Sequence, residues 1–337
     1  MNQRFHHPRW AQLQKTLPQQ MQPRTTTAES QRQLGVNRYR KRVIVIGSGA
    51  IAATVVPAMT DRVRHITLLQ RSPTYFAPGL NRNELADTLR GLDIPAAWTH
   101  EIVRRKILHD QQEITRRSFE EPERLKAELI AGARAYLGPD FDVERHFTPR
   151  YRPWQQRLAF IPDGDLFRGI ASGKASVVTD QIERFTEHGI LLKSGVEIEA
   201  DIIVTATGFD LCVLGGVVFT VDGASVDFAK TVGYRGFMFT GVPNMAWVFG
   251  YFRASWTLRA DLISDYVCRI LEHMRTNHAT VVTPRLRAED RDMEIRPWVD
   301  PDNFNPGYLT RSLHLMPKQG SREPWIFTQD YWHEKDA

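Results

Sequence analysis

RVIVIGSGAIAATVVPAMTDRVRHITLLQRSPTYF, residues 42–76, is the stretch whose reading decides the fold. Residues 43–46 are an unbroken apolar, β-branched run, the pattern of a strand buried on both faces, and they end directly in Gly47-Ser48-Gly49. A helix follows at once. Ile51, Val55 and Met59 recur at helical spacing and predict one face packed on the sheet, while Pro57 predicts a kink or an early end. Residues 66–69 form a second apolar strand and complete a strand-helix-strand unit.

The run Gly47-Ser48-Gly49-Ala50-Ile51-Ala52-Ala53 sits where a dinucleotide fold needs its turn. The first glycine permits the tight turn, the second lets backbone amides approach a pyrophosphate, and small Ala52 allows the helix to pack close to the strand. Phosphate would rest on the helix N-terminus. A plain glycine turn is the alternative, and the flanking strand, helix and strand weigh against it. Where an NAD site carries an acidic residue at the end of the second strand, this chain has Gln70-Arg71-Ser72. The planar fork of Arg71 suits a 2′-phosphate and Ser72 adds a hydroxyl, which points to NADPH; a solvated surface arginine is the competing reading.

The 337 residues, 42% hydrophobic and 25% charged, describe an ordinary globular chain of about two domains. The net charge of +5 favours a polyanionic cofactor, but no Lys/Arg block interleaved with aromatics is present, so nucleic acid is set aside as a partner. Cys212 and Cys268 are too few and too far apart for a disulfide framework or a zinc site, so no metal centre is expected. That fits a reducing, cytoplasmic location. No apolar run is long enough to span a membrane, and the first ten residues lack a signal peptide's apolar segment.

Residues 1–40, rich in Gln, Arg, Thr and Pro, read as a poorly ordered leader. Residues 78–150 read as a charged helical insertion in which Leu125, Leu129, Ala133, Tyr136 and Leu137 share one face. Strand signals return at 176–179, in a hairpin of 190–193 and 196–198 about Ser194-Gly195, and at 202–205. Residues 41–77 and 151–210 therefore form one interrupted nucleotide-binding domain. The small residues that follow, Ala206-Thr207-Gly208, allow close approach by a ligand or another segment. Beyond them a hairpin about Asp222-Gly223, a strand at 247–249 and a long amphipathic helix bearing Leu258, Leu262, Tyr266, Ile270 and Met274 are expected, with Cys268 a buried thiol on that helix. The tail, 277–337, reads as proline-broken loop anchored by Trp298, Tyr308, Trp325 and Trp332.

Gly47-Ser48-Gly49-Ala50-Ile51-Ala52, Gln70-Arg71-Ser72-Pro73, Ala206-Thr207-Gly208-Phe209-Asp210 and Pro317-Lys318-Gln319-Gly320-Ser321-Arg322, in that order, resemble the flavin-dependent Baeyer-Villiger monooxygenases, and within them the ethionamide-activating kind. The likeness runs from about residue 42 to residue 325. It implies an α/β fold: a Rossmann-like NADPH-binding domain with a helical insertion, and, over 211–337, the C-terminal part of a second, FAD-type α/β domain. It further implies that Arg71 and Ser72 meet the 2′-phosphate. Arg157, in Tyr151-Arg152-Pro153-Trp154-Gln155-Gln156-Arg157, matches the catalytic arginine, whose fixed charge stabilises the anion formed when oxygen adds to reduced flavin. From the residues alone Arg157 reads as a surface residue. Gln156 stands where many relatives place a lysine on the 2′-phosphate, and it brings a hydrogen bond without a charge.

No strand-glycine-helix pattern precedes Arg42, and only His6-His7-Pro8-Arg9-Trp10 echoes the end of the family fingerprint. The resemblance thus implies that the FAD-binding half is missing and that this chain alone does not hold FAD. The implied activity is an FAD- and NADPH-dependent oxygen insertion into a small ketone, or oxidation of sulfur. The alternative is an NADPH-binding remnant or subunit that needs a separate FAD-binding chain. A simple dehydrogenase is disfavoured, because no Tyr-x-x-x-Lys or zinc-ligand set is placed to receive a hydride.

Overall fold

A computed structural model describes residues 40–336; the leader expected over 1–40 lies outside them except for Arg40. The chain runs Arg42–Ile46 (β1), Ala50–Met59 (α1), His65–Gln70 (β2) and Phe76–Gly79 (β3). Four helices follow, Glu84–Gly91 (α2), Ala96–Glu120 (α3), Pro122–Leu137 (α4) and Val143–Phe147 (α5). Then come Ala159–Pro162 (β4), Asp165–Ala171 (α6), Ala175–Thr179 (β5), Ile182–Phe185 (β6), Gly189–Leu192 (β7), Glu197–Glu199 (β8) and Ile202–Thr205 (β9).

Four parallel strands in the order β5-β2-β1-β9 make the central sheet. Ile46 pairs with Leu69 on one side and Thr205 on the other, so β1, β2 and β9 end at one edge. The chain leaves β1 for β2 in one direction while β9 closes the other side. Such a divergence opens a crevice where ligands bind in α/β sheets.

The two sheet faces are covered differently. Val43, Val45, Ile66 and Leu68 pack with Ala52, Val56, Phe147, Leu166 and Phe167, so α1, α5 and α6 cover one face. Ile44, Ile46 and Leu69 pack instead against Ile190 and Leu192 of the antiparallel β6-β7-β8 layer. The hairpin about Ser194-Gly195 is thus present, with β6 as an added strand. β3 and β4 pair in parallel and bring together the two ends of the helical segment between them.

The buried face of α1 differs from the one its periodicity predicts. Ala52, Ala53 and Val56 are buried, whereas Ile51 is 41% exposed and Val55 and Met59 are half-buried. Only alanine-sized side chains fit where the tight turn brings the helix start onto the sheet, so the bulkier residues are rotated outward. Pro57 lies inside the last turn and the helix ends two residues beyond it.

The rest of the chain contains Thr220–Val221 (β10), Ala224–Ser225 (β11), Gly233–Tyr234 (β12), Met238–Phe239 (β13), Trp256–Thr276 (α7), Ile295–Pro297 (β14), Gly307–Ser312 (α8), Lys318–Gly320 (β15) and Tyr331–Asp336 (α9). β10 and β11 form the hairpin expected about Asp222-Gly223. Phe239, Phe249, Phe252, Trp298, Phe304 and Phe327 make an aromatic core, with Trp298 and Phe327 stacked at 4.7 Å and Phe252 and Phe304 at 4.6 Å. Three sequence expectations are corrected here. Residues 247–249 are not a strand: Trp247 donates one backbone hydrogen bond to Phe237, and the segment inserts Phe249 into the aromatic core without joining a ladder. Cys268 is exposed, because α7 turns Leu258, Arg259 and Ile263 inward and Cys268 falls on the opposite side. The tail is not all loop, since β14 and β15 pair, α8 lies between them in the chain and α9 follows.

Gly47 has φ of 116°, and a Cβ there would fall on the carbonyl oxygen of Ala206 just past β9. We predict that Gly47→Ala destabilises the fold by at least about 2 kcal/mol, since strained backbone and an immovable carbonyl oppose the added methyl together. Urea unfolding measures it, and an unchanged midpoint would contradict this packing.

Candidate functional site

The glycine turn places its donors at the sheet edge. Gly47 donates its N–H to Leu69 O at 2.8 Å, which locks the turn onto β2, and Ala206 donates to Ile46 O at 2.8 Å on the other side. Gly49 is the N-cap of α1 and is exposed, as are Ala50 and Ile51; no side chain caps the helix and no acidic residue lies in its first turn. The first N–H groups of α1 thus face outward with nothing of like sign to repel an anion. A Cβ at Gly49 would meet no atom within 4 Å, so the space above it is free for a bulky group.

Ser48 ties this turn to the next strand's exit. Its hydroxyl bonds Thr74 Oγ1 at 2.9 Å and donates to Ser72 O at 3.3 Å. Arg71 and Ser72, the first residues past β2, are both exposed. Arg71 makes no ion pair or side-chain hydrogen bond among the described residues, so its guanidinium is available to a ligand lying across the turn. The edge therefore joins Gly47, Ser48, Gly49, Ala50, Ile51, Arg71 and Ser72 in one place, with buried Ala52 and Ala53 beneath.

Beneath Arg71, Gln70 is 1% exposed and anchors the strand end. Its Nε2 donates to His146 O at 2.7 Å and to Thr179 Oγ1 at 2.9 Å, and the Thr179 hydroxyl lies 2.8 Å from His146 Nδ1. The Thr179 oxygen thus accepts from Gln70 and exchanges a second hydrogen bond with the His146 ring. Burial, aided by the neighbouring Arg145 charge, holds the His146 pKa below its ordinary value.

Gln156 and Arg157 sit on a different support. Arg157 is exposed and its Nε donates to Tyr308 OH at 3.4 Å; Gln156 Nε2 lies 3.5 Å from Asn305 Oδ1. No hydrogen bond among the described residues joins either to the glycine turn. The link runs through the start of their loop, where Tyr75, four residues past Arg71, donates its hydroxyl to Tyr151 O at 2.8 Å. Burial raises the pKa of both tyrosines, so they stay neutral donors.

Sequence reasoning missed the arginines that fasten this loop. Arg152 Nη2 donates to Asn303 O at 2.9 Å, and Arg253 Nη2 donates to the same oxygen at 2.8 Å and to Asn303 Oδ1 at 2.6 Å. Arg253 also reaches Trp154 O at 3.3 Å. Burial, then the nearby Arg152 charge, pushes the Arg253 pKa down to about 10. No sequence pattern marks these residues, because their meeting depends on segments far apart in the chain. A cavity of about 700 Å³ between α3 and α7, lined by Val103, Leu108 and Leu258 among others, holds none of the site residues expected from sequence. Among the described residues no cluster of potential metal ligands occurs and no helix is long and apolar enough to cross a membrane.

No family model matches the chain. It is 46% identical over 293 residues, 86% of its length, to the FAD-containing monooxygenase EthA of Mycobacterium tuberculosis, and covers 58% of that protein. It is 44% identical over 301 residues to the putative FAD-containing monooxygenase MymA of the same organism, covering 88% of this chain and 59% of the relative. The probable FAD-binding monooxygenase AlmA of Acinetobacter baylyi is 41% identical over 298 residues, again 88% and 59% of the two chains. The chain thus spans under two thirds of the length of the curated relatives it matches. Among solved structures, OTEMO in complex with FAD and NADP aligns at a TM-score of 0.58 and 19% identity, over 76% of this chain and 56% of that one. An oxidised steroid monooxygenase bound to NADP aligns at 0.58 and 18%, over 74% and 56%. These structural likenesses bear on the fold alone, which is mixed α/β with a parallel, Rossmann-type sheet.

The His146 network generates a pH dependence. A histidine whose folded pKa lies below its unfolded value binds fewer protons when folded, so stability is complete above about pH 6.5 and falls as the pH drops through the folded pKa. We predict a lower melting temperature at pH 5.5 than at pH 7.5, with the difference reduced in His146→Gln. An equal pH dependence in the variant would remove His146 as its source.

Proposed function

Because this chain is a relative of the FAD-containing monooxygenases, we propose that it supplies the NADPH-binding portion of such an enzyme, acting in oxygen insertion into small ketones or oxidation of sulfur. The observation that carries this reading is the sheet edge itself, which among the described residues has an uncapped helix N-terminus, open space over Gly49, and an exposed Arg71 without a partner beside Ser72. These residues fit NADPH. Backbone amides of Gly49, Ala50 and Ile51 would hold its pyrophosphate, and Arg71 with Ser72 its 2′-phosphate, while Gln156 offers a further neutral donor. NADPH would supply hydride. The chain's own work is to orient that cofactor and to present charge.

Arg157 is assigned the catalytic charge. Held by a single long hydrogen bond that its Nε donates to Tyr308 OH, its guanidinium keeps its remaining donors for an anionic centre arriving beside the loop. FAD receives no such assignment here. Among the described residues Gly47-Ser48-Gly49 is the only Gly-x-Gly turn that joins a strand of the parallel sheet to a helix, so none of them is given the FAD pyrophosphate. That same observation favours a second reading, in which the chain binds NADPH but needs a separate FAD-binding chain for turnover.

We predict that the purified chain binds NADPH more tightly than NADH and that Arg71→Ala removes most of the difference, about 1.5 to 3 kcal/mol, the worth of a charged phosphate contact. Calorimetric titration with both cofactors tests it, and equal affinities in the unaltered chain would overturn the assignment of Arg71. Bound flavin measured in the same preparation separates the two readings: stoichiometric FAD with substrate-dependent NADPH consumption supports a self-sufficient enzyme, and NADPH binding without flavin supports the need for a second chain.

A further inference from the structure

Arg152 and Arg253 meet over one aromatic ring: their guanidinium carbons lie 4.1 and 5.0 Å from the Phe119 ring centroid, and both donate to Asn303 O. Every hydrogen-bond acceptor of the two among the described residues is an uncharged carbonyl oxygen: the backbone oxygens of Ser118, Pro153, Trp154 and Asn303, and the Asn303 side-chain amide. Neither makes an ion pair there. Two half-buried like charges thus stand together without a counter-charge, in a place where water screens their repulsion less than at the surface. Carbonyl dipoles and the ring face offset part of that repulsion.

Unused donors remain. Arg253 Nη1 and Arg152 Nε donate to nothing among the described residues, and the Trp154 indole N–H is buried without an acceptor. Phe119 is 46% exposed, so the cluster is reached from solvent. Guanidinium forks match the oxygens of a phosphoryl group, and a multiply charged anion would neutralise both cations at once.

We propose that Arg152 and Arg253, held together by Asn303, form an anion seat for a phosphoryl or pyrophosphoryl group, separate from the Arg71–Ser72 edge. In the proposed function the NADPH pyrophosphate lies on the glycine turn, so the group seated here belongs to a second phosphorylated ligand. Asn303 gives a decisive variant. Its Oδ1 already lies 2.6 Å from Arg253 Nη2, so Asn303→Asp supplies the missing carboxylate in place and fills the seat from within while keeping the clamp.

The experiment titrates the full chain with inorganic pyrophosphate, read by calorimetry and by tryptophan fluorescence at low and high salt. The expected result is a salt-sensitive isotherm that weakens about tenfold or more in Arg253→Gln and in Asn303→Asp, in line with the loss of a charge-assisted contact. Asn303→Asp is expected to melt no lower than the unaltered protein, so its loss of binding is not a loss of fold. Competition separates the sites: NADPH, whose pyrophosphate the glycine turn takes, is expected to leave pyrophosphate bound at this seat, and displacement by NADPH would overturn a separate seat. Absence of pyrophosphate binding, or isotherms unchanged in both variants, overturns the proposal. An unselective Arg71 would leave these isotherms untouched, which keeps the two proposals separately testable.

Discussion

The edge of the central sheet depends on the close approach of the Ala206 carbonyl to Gly47. β9 runs beside β1 in parallel register and its chain continues over the turn that ends β1, leaving no room for a side chain there. A parallel sheet ends its strands at one edge, and only a residue without Cβ at Gly47 lets the chain turn beneath Ala206 and start α1 immediately. From that contact follow the outward-facing start of α1, the burial of Ala52 and Ala53 against the sheet, and the meeting of the glycine turn with the end of β2.

The second half of the described chain depends on arginines instead of on a broad sheet. Arg259 is 1% exposed, donates to Glu334 at 2.8 Å and to the backbone oxygens of Arg235 and Phe249, and lies 4.3 Å from the Phe327 ring centroid. Tyr251 donates its hydroxyl to the same Glu334 oxygen. A buried guanidinium with its carboxylate and carbonyls in place pins α9 to α7, and removing the carboxylate from such a pair costs about 3 to 5 kcal/mol. Arg152 and Arg253 present the opposite case, with carbonyls in place and no carboxylate. The contrast separates an arginine that completes a fold from a pair that has no counter-charge among the described residues.

The Tyr151–Arg157 loop joins these two regimes. Tyr75 ties its start to the strand exit that carries Arg71, while Asn303, Asn305 and Tyr308 tie its body to the C-terminal segment. Arg71 and Arg157 are thereby held on one scaffold although no direct bond joins them. The course of the loop is set by hydrogen bonds to the backbone oxygens of Tyr151, Gln155 and Asn303, which are rigid acceptors.

What the sequence determined by itself was the parallel-sheet half with its glycine turn. Apolar β-branched runs, glycines at fixed offsets and Arg71 after the second strand are local patterns, and the sheet and the turn at its edge follow from them because neighbouring residues enforce them. Tertiary structure decided what those patterns leave open. The exposed side of α1 was settled by how closely the helix approaches the sheet, not by the spacing of Ile51, Val55 and Met59, and the position of Cys268 by the core that α7 meets. Residues 247–249 carry strand-forming side chains yet find no partner strand. Arg152, Arg253 and Asn303 belong to no motif, since their meaning arises only when segments remote in the chain pack around Phe119, and local sequence carries no trace of a contact made across such a distance.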